Sequence, residues 1–384
     1  MEIRKVYFDN AATTPIDEQV VTVISAALRN NFGNPSSTHY KGRESKSLLE
    51  LSRKSISKAL NCHPSEIFFT SGGTEADNMA LTCAVRDLGC TRIISSTIEH
   101  HAVTHTVEFL RERGEASVDY VRLDEKGNVD LAHLAELLGK PGKAIVSLMH
   151  ANNEIGNLLD LNKVSAMCRE AGAIFHSDTV QSMAHYPFNL YELDIDFITC
   201  SAHKFHGPKG IGFLYVNKKL KVHPLIHGGA QERNLRGGTE NLYGIVGLAK
   251  AMELAMAELN EHKAHIEDLK AHMINRLKSS IPGVEFNGES DNMNKSLYTV
   301  LNASLPPSPI SSMLLFNLDI MGICVSGGSA CSSGSNKGSH VLEGIHADPE
   351  RPAVRFSFSK YNTKTEVDYA VEQLAGLVNE VVSA

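Results

Sequence analysis

The sequence predicts an α/β fold in which a large domain with a mostly parallel sheet is followed by a smaller α+β domain. From about residue 45 to residue 216, short β-rich runs alternate with helix-like segments, a pattern typical of parallel sheets covered by helices on both faces. After residue 240 this alternation gives way to a long amphipathic stretch and a mixed C-terminal part. The length of 384 residues is enough for one large and one smaller domain.

Seven β-rich runs are the predicted strands of the large sheet. Each is short and separated from the next by a helix-like segment. The runs are IFFT (67–70), RIIS (92–95), VDYVRL (118–123), AIVSLMH (144–150), AIFHSD (173–178), FITCS (197–201) and GFLYV (212–216). Ligands of such sheets bind beyond the carboxyl ends of the strands, so the polar residues there are the first candidates for a site.

The C-terminal part is predicted to begin with an amphipathic helical stretch over about 241–280 that leads into the smaller domain. A strand at LYTVLNA (297–303), a Gly/Ser-rich loop, a strand at AVRFSFS (353–359) and a closing helix from about residue 364 follow. We predict three parts: a segment, 1–14, that packs on the smaller domain, the large domain, 15–252, and the smaller domain, 253–384.

Composition and charge exclude several classes of protein. With 42% hydrophobic and 21% charged residues, the chain has ordinary globular composition, and no apolar run reaches the roughly 18 residues of a membrane span. The net charge of -7, without a long Lys/Arg run, makes nucleic acid a poor partner. The start, MEIRKVYFDN, lacks the apolar core of a secretory signal. We therefore expect a cytoplasmic protein that binds neither nucleic acid nor membranes.

The seven cysteines contain no CxxC pair, which argues against a disulfide framework and against a closed zinc site. Six lie in helix-like or strand-like stretches, where a cysteine is usually a small buried apolar residue. Cys331 differs because it lies in 326–339, a stretch with six Ser and four Gly that can move easily. A thiol there suits a nucleophile that travels, and an incidental exposed cysteine is the alternative.

The TSGGTE cluster (70–75) lies between a predicted strand and a predicted helix. Its small residues can expose backbone N–H groups at a helix N-terminus, which is a ready site for phosphate. An ordinary helix cap, with Ser or Thr followed by Glu, is the alternative.

Lys204 follows directly after the predicted strand FITCS, within SAHK. A nucleophilic lysine needs an unprotonated amine, which a desolvated cleft favours. A solvated loop lysine is the alternative interpretation. His203 and His206 could also form a zinc pair, although two histidines without further ligands make a weak site.

Two further strand ends offer a carboxylate and an imidazole. Asp178 ends AIFHSD and could pair with a protonated ring nitrogen or cap the next helix. His100, in IEHHA, could stack on a flat cofactor or move protons. Chemistry alone does not decide between His100 and His101, and a lone histidine is more often structural.

Taken together and in order, the motifs resemble the cysteine desulfurases of the NifS/IscS type, which use pyridoxal phosphate and belong to the class-V aminotransferases. The resemblance spans nearly the whole chain. It rests on YFDNAATTP, GNPSSTHYKGR, TSGGTEADN, TIEHHAV, MHANNEIG, SDTVQS, SAHKFHGPKGIG, RGGTENL, GSACSSGS and RFSFS. It implies the aspartate-aminotransferase-like fold (fold type I) and a homodimer whose active sites take residues from both subunits.

The resemblance also implies roles for particular residues. Lys204 would hold pyridoxal phosphate covalently, Asp178 would face its ring nitrogen, and His100 would stack on the ring and handle protons. Arg355 would bind the substrate carboxylate, with help from Asn34. The remaining cofactor contacts would come from Gly73, Thr74, Asn153, Gln181, Ser201 and His203, with Thr239 reaching across from the partner subunit.

The implied reaction converts L-cysteine to L-alanine and leaves the sulfur on Cys331 as a persulfide, for delivery to an acceptor protein. An iron–sulfur scaffold is the expected acceptor, and tRNA thiolation is another possible destination of the sulfur. No resident metal is expected, although Cys331 would contact a transferred iron–sulfur cluster. The loop CSSGSNKGSH departs from many members of this family, which have a proline shortly before the Ser-His pair.

Two other classes of function remain at this point. A selenocysteine lyase or an aminotransferase would use the same fold, but a pure transaminase needs no mobile thiol such as Cys331. A non-catalytic sulfur-relay or scaffold subunit would not need Lys204, Asp178 and His100.

Overall fold

The computed structural model describes residues 4–327 and 338–379. In chain order the helices and strands are β1 (Val6–Tyr7), α1 (Glu18–Asn30), α2 (Tyr40–Ala59), β2 (Ile67–Thr70), α3 (Gly73–Arg86), β3 (Arg92–Ser95), α4 (His101–Glu112), β4 (Ser117–Tyr120), α5 (Leu131–Leu138), β5 (Ala144–Ser147), α6 (Leu161–Ala171), β6 (Ile174–Asp178), α7 (Leu190–Leu193), β7 (Phe197–Ser201), β8 (Gly212–Val216), α8 (Gln231–Asn234), α9 (Leu242–Ala257), α10 (Leu259–Ser280), β9 (Glu285–Phe286), β10 (Val300–Ser304), α11 (Leu314–Ile320), β11 (Ile323–Cys324), α12 (His340–Gly344), β12 (Ala353–Ser357) and α13 (Lys364–Asn379). From α2 to β7 helices and strands alternate, within the range of about 45–216 for which alternation was predicted.

The large sheet has seven strands in the order β2-β8-β7-β6-β5-β3-β4. The strands from β7 to β4 are parallel, and β8 runs antiparallel to both of its neighbours. Every residue of β3, β5, β6, β7 and β8 is buried, as expected for a sheet with helices on both faces. The predicted mostly parallel sheet is confirmed.

Two predicted strands of the large sheet end early. The run 118–123 was expected to be extended throughout, but β4 ends at Tyr120. Beyond it the chain turns back, and Leu123 makes an antiparallel bridge with Val129. The run 144–150 likewise ends as a regular strand at Ser147, although the N–H groups of Leu148 and His150 still donate to β6. Apolar residues in these two runs pack in the core without lengthening the strands, since a run of buried residues does not mark where a strand ends.

The C-terminal part contains a three-stranded antiparallel sheet in the order β12-β10-β9, against which α10 and α13 pack. The helical stretch predicted over 241–280 is two helices, because Glu258 leaves helical geometry between α9 and α10. α9 packs mainly in the core of the large sheet, and α10 packs in the core of the smaller one.

The N-terminal segment joins the C-terminal part. β1 pairs in parallel with β11, and Val6 and Phe8 are buried in the same apolar cluster as α10 and α13. These contacts agree with the expected packing of the segment 1–14, and the domain boundaries at residues 14 and 252 stay a prediction.

Within the described ranges, no helix is long and apolar enough to cross a membrane. Four cysteines, at positions 83, 90, 168 and 200, are buried. Two depart from the expectation of burial: Cys62 is half-buried in the turn after α2, and Cys324 is exposed in β11. β11 has only two residues and belongs to a two-stranded sheet, so one of its side chains faces outward.

Candidate active site

A cavity of about 230 Å³ lies at the carboxyl ends of the large sheet's parallel strands. We call the residues that follow these strands the strand-end wall, and Ala11, Ala12 and Arg355 the N-terminal wall. Ten of the predicted site residues line the cavity: Gly73, Thr74, His100, Asn153, Asp178, Gln181, Ser201, His203, Lys204 and Arg355. In the strand-end wall, the structure therefore brings together residues that lie up to 131 positions apart in the sequence, from Gly73 to Lys204.

Asp178 is the last residue of β6 and is only 5% exposed. Its Oδ1 accepts a hydrogen bond of 2.9 Å from the backbone N–H of Val180. Burial, together with the nearby carboxylate of Asp77, raises the pKa of Asp178 to about 7. A cation held against this carboxylate would restore its usual ionisation, so the site favours a positively charged ligand group at this point.

Lys204 ends a single 3-10 turn that follows β7. Its Nζ donates hydrogen bonds to the backbone oxygens of Ala11, at 2.6 Å, and Ala12, at 2.9 Å. The turn is tight, since a Cβ at Gly207 would come within 2.8 Å of the carbonyl oxygen of Ala202. Lys204 therefore lines the cavity, which does not fit the alternative of a solvated loop lysine.

The N-terminus of α3 faces the cavity through Gly73 and Thr74. The residue that caps this helix is Gly72, and its φ of 154° favours glycine. Because glycine has no side chain, none caps the helix. A Cβ at Gly73 would meet Cγ2 of Val180 at 2.7 Å, so only glycine leaves room there. A helix N-terminus without a side-chain cap suits an anionic group better than the ordinary Ser/Thr cap that was the alternative.

His100 and His101 differ in what they contact. His100 caps α4, with Nδ1 accepting from the N–H of Ala102 at 3.1 Å, and its ring lines the cavity. Burial and the nearby Lys204 lower the pKa of His100 to about 4, so its imidazole is neutral near pH 7. His101 instead lies against the rings of His105 and His340, with centroids 4.8 and 4.3 Å away. The cavity position therefore belongs to His100.

Arg355, on β12, is 1% exposed and reaches the cavity from the C-terminal part. Its Nη1 donates to the backbone oxygen of Asn153, and its Nη2 donates to Oδ1 of Asp9, both at 2.9 Å. Because Arg355 is buried, it does not form a surface ion pair, which was the alternative for an arginine in a strand. Gln181 Nε2 donates to the Ala11 oxygen at 3.0 Å, so its amide is tied to the N-terminal wall.

Three predicted residues are not placed in this cavity. Thr239 lines a separate cavity with Arg236 and Glu240. Asn34 is exposed and caps a turn by accepting from the N–H of Ser36 at 2.9 Å. Cys331 lies outside the described residues. The roles of all three stay predictions.

A zinc site at His203 and His206 finds no support. His203 Nδ1 lies 3.2 Å from Oγ1 of Thr13, and His206 Nδ1 lies 2.8 Å from the oxygen of Pro15. Over 4–327 and 338–379, no group of three or more His, Cys, Asp or Glu side chains is arranged to hold a metal ion.

Several residues of the site had no role in the prediction. Ala11 and Ala12 belong to YFDNAATTP, a motif that signalled the family but suggested no site contact. Asp77 also lines the cavity, is 1% exposed, and has its pKa raised to about 7 by burial. Asp77 could have been predicted from the sequence, because it lies four residues after Gly73 and therefore on the same face of α3.

Comparison with known proteins defines the class. The model of the class-V aminotransferase family matches residues 6–370, so the chain belongs to that family. It is 41% identical over 382 residues to the cysteine desulfurase IscS of Dictyoglomus turgidum, covering 98% of this chain and 95% of the relative. It is 40% identical to the cysteine desulfurase IscS of Methanosarcina thermophila, covering 99% and 93%. Within the family, the chain belongs with the cysteine desulfurases.

Solved structures give the same result. A NifS-like protein superposes with a TM-score of 0.90 at 37% identity, covering 98% of this chain and 100% of the other. A NifS-like protein from Rickettsia africae gives a TM-score of 0.87 at 30% identity, with the same coverage. The predicted fold type I is confirmed.

The family depends on pyridoxal phosphate, and the cavity fits this cofactor. Burial and Asp77 raise the pKa of Asp178, and a protonated pyridine nitrogen would supply the positive charge that favours its ionised form. The uncapped start of α3, with Gly73 kept small, suits the phosphate. The Lys204 amine and the flat His100 ring lie in the same cavity, where a lysine-bound ring needs them.

Proposed function

We propose that this cavity is where L-cysteine loses its sulfur, and that the sulfur passes to Cys331 before it reaches an acceptor. The observation that supports this best is that Lys204, His100, Asp178 and Arg355 line one cavity. These residues provide an amine, a neutral imidazole, a carboxylate and a guanidinium, which together suit an amino-acid substrate.

The cofactor would be held at five places. Asp178 would face the pyridine nitrogen, His100 would lie against the ring, and Lys204 would bind covalently. Asn153 and Gln181 would contact the ring oxygen. The phosphate would lie among Gly73, Thr74, Ser201 and His203, with Thr239 of a second subunit. When bound, pyridoxal phosphate withdraws electrons from the α-carbon of the amino acid joined to it.

Lys204 would act a second time, as the base that removes the substrate's α-proton and returns a proton to carbon. The oxygens of Ala11 and Ala12, at 2.6 and 2.9 Å, keep its Nζ inside the cavity. His100 would take part in proton transfer from its neutral form, since burial lowers its pKa to about 4.

Arg355 would bind the substrate carboxylate, for which guanidinium is the best-matched side chain. Asn34 would assist. In the sulfur step, the Cys331 thiolate forms a bond to the substrate sulfur. The substrate's carbon–sulfur bond breaks and leaves its electron pair on carbon, which is then protonated to give L-alanine. The products are a persulfide on Cys331 and alanine.

We propose a homodimer, because Thr239 lines a different cavity from Lys204 and would serve only a second subunit. An iron–sulfur scaffold protein is the proposed acceptor, as the IscS names of the relatives suggest. A cytoplasmic location is part of the proposal. It is supported by the six described cysteines, all of which are free thiols.

The proposed function is tested by product analysis. Purified holoenzyme with L-cysteine and a reductant is expected to release alanine and sulfide in equal amounts. The Cys331→Ala variant should keep the visible absorbance of the bound cofactor and lose sulfide release, whereas Cys324→Ala, the matched control at an exposed cysteine, should keep both. Full sulfide release by Cys331→Ala would indicate a lyase that frees sulfur directly and would reject the proposed sulfur transfer.

A further inference from the structure

We propose that Asp9 is a positioning residue that fixes the guanidinium of Arg355 in the orientation that binds the substrate carboxylate. This inference rests on the proposed role of Arg355. It assigns a function to a residue of YFDNAATTP that lies 346 positions away from Arg355 in the sequence.

The guanidinium of Arg355 is held at both terminal nitrogens. Nη2 donates to Asp9 Oδ1 and Nη1 donates to the backbone oxygen of Asn153, each at 2.9 Å. The two acceptors lie far apart in the sequence, one in the N-terminal segment and the other in the middle of the large domain. Because the group is planar and is held at two points, its orientation in the cavity is fixed before a substrate arrives.

Asp9 is itself held by its surroundings. Its Oδ1 also accepts from Oγ of Ser326 at 2.8 Å, and its backbone bridges to Ser357. Ser326 in turn exchanges two backbone hydrogen bonds with Arg355, at 3.3 and 2.6 Å. Asp9, Ser326 and Arg355 therefore form a closed set of contacts in which the Asp9 carboxylate cannot move without moving the arginine.

The same segment also fixes the lysine. Two residues after Asp9, the Ala11 oxygen accepts from Lys204 Nζ at 2.6 Å and from Gln181 Nε2 at 3.0 Å. The amine and carboxylate of an amino acid are attached to one carbon, so their spacing is set by the substrate. A short rigid segment that anchors both Lys204 and Arg355 matches the protein's groups to that spacing.

The geometry differs from that of an ordinary structural ion pair. Such a pair usually has two parallel N–H···O bonds from one edge of the guanidinium. Here Asp9 accepts from Nη2, while the buried Nε of Arg355 has no hydrogen-bond partner among the described residues. The contact between Asp9 and Arg355 is therefore weaker than a pair with two parallel hydrogen bonds. Its main effect is to fix the orientation of the guanidinium.

The test is a double-mutant cycle on the holoenzyme, with kcat and KM for L-cysteine measured for Asp9→Ala, Arg355→Ala and the double variant. The equilibrium dissociation constant of the product L-alanine, read from cofactor absorbance, gives binding without turnover. We expect Asp9→Ala to raise KM and the alanine dissociation constant about tenfold, with kcat changed by less than about twofold. In the Arg355→Ala background, Asp9→Ala should add no further loss.

Two variants separate positioning from stability. Asp9→Asn keeps an oxygen acceptor for Nη2 and should recover most of the binding lost in Asp9→Ala. Asp17→Asn disturbs another ion pair of the N-terminal region, with Lys360 at 2.7 Å and away from the cavity, and should leave KM unchanged.

Two outcomes overturn the inference in distinguishable ways. If Arg355→Ala raises KM but Asp9→Ala does not, or if the two losses simply add, Asp9 does not act through Arg355. If Arg355→Ala itself leaves KM unchanged, the proposed role of Arg355 fails and the inference fails with it.

Discussion

The two walls of the cavity are built in different ways. The strand-end wall, with Asp178 and Lys204, follows directly from buried strands of one sheet, and its groups lie at the ends of β6 and β7. The N-terminal wall joins Ala11 and Ala12 to Arg355, a residue of a different sheet, through Asp9. One wall is fixed by the core of the large sheet, and the other is assembled by contacts between the two ends of the chain.

This difference suggests a division of labour. Groups fixed by the sheet are suited to chemistry, which requires constant geometry and a low dielectric. In the N-terminal wall, Arg355 is the proposed partner of the substrate carboxylate, and its contact with Asp9 suits this wall to substrate recognition. We therefore expect substitutions in the strand-end wall to lower kcat and substitutions in the N-terminal wall to raise KM.

The largest effect is expected for Lys204→Ala, which removes both the covalent attachment and the base. We expect kcat to fall by at least about a thousandfold and the absorbance of lysine-bound cofactor to disappear. Lys209→Ala, at an exposed lysine five residues later, is the control and should behave like the wild type. An unchanged spectrum in Lys204→Ala would remove this lysine from the strand-end wall's chemistry.

His100→Ala should lower kcat about a hundredfold, because it removes the imidazole that lines the cavity. The adjacent His101, whose ring stacks on His105 and lies tilted against His340, provides a matched control. His101→Ala should change kcat by less than about threefold in steady-state assays. An equal fall in kcat in the two variants would contradict a specific role for His100 in the cavity.

A smaller effect is expected on the stability of the cofactor-free protein. The pKa of Asp178 is raised from 3.8 to about 7, so the folded state binds a proton that the unfolded state releases between these values. The stability that this group contributes is present below pH 4 and is lost as pH rises through 7. Asp178→Asn should therefore gain stability relative to wild type by about 1 kcal/mol per pH unit as the pH rises from 4 to 7, and the difference should stay constant above pH 7.

The measurement is thermal unfolding of both cofactor-free proteins from pH 5 to pH 9. Asp130→Asn is the control, because hydrogen bonding to the N–H of His133 holds the pKa of Asp130 below its usual value. Its difference from wild type should not grow with pH in this range. A constant difference for Asp178→Asn as well would contradict the raised pKa of Asp178.

The smallest effect is expected for Ser326→Ala in the contacts behind the N-terminal wall. The hydroxyl donates to Asp9 at 2.8 Å, and its loss should raise KM for L-cysteine about twofold while kcat stays the same. Ser311→Ala, whose hydroxyl accepts from the N–H of Ser308, should change neither. If Ser326→Ala lowered kcat and left KM constant, the two walls would not divide catalysis and substrate binding between them.

The strand-end wall could be predicted from the sequence, because its groups follow short apolar runs and the carboxyl ends of parallel strands meet at one edge of a sheet. The position of Lys204 needed only the strand FITCS. The family resemblance was needed to choose His100 over His101, a choice that the structure then explains by the packing of the His101 ring against His340.

The N-terminal wall could not be predicted in the same way. Asp9 and Arg355 meet only because β1 pairs with β11 and because Asp9 bridges to β12. No local pattern encodes a contact between residues 346 positions apart. The break at Glu258 and the early end of β4 were missed for a similar reason, since packing and not apolar periodicity ends those elements.

The central claim is that sulfur leaves L-cysteine in this cavity and arrives on Cys331. Its most direct test is mass spectrometry of peptides from holoenzyme that has been incubated with L-cysteine, alkylated and digested without reductant. We predict one additional sulfur atom on Cys331 and none on exposed Cys324, distinguished by fragmentation because no Lys or Arg separates the two cysteines and one tryptic peptide carries both. No additional sulfur is expected in the Lys204→Ala variant. Additional sulfur on another cysteine, or none on Cys331 while alanine accumulates, would contradict the account.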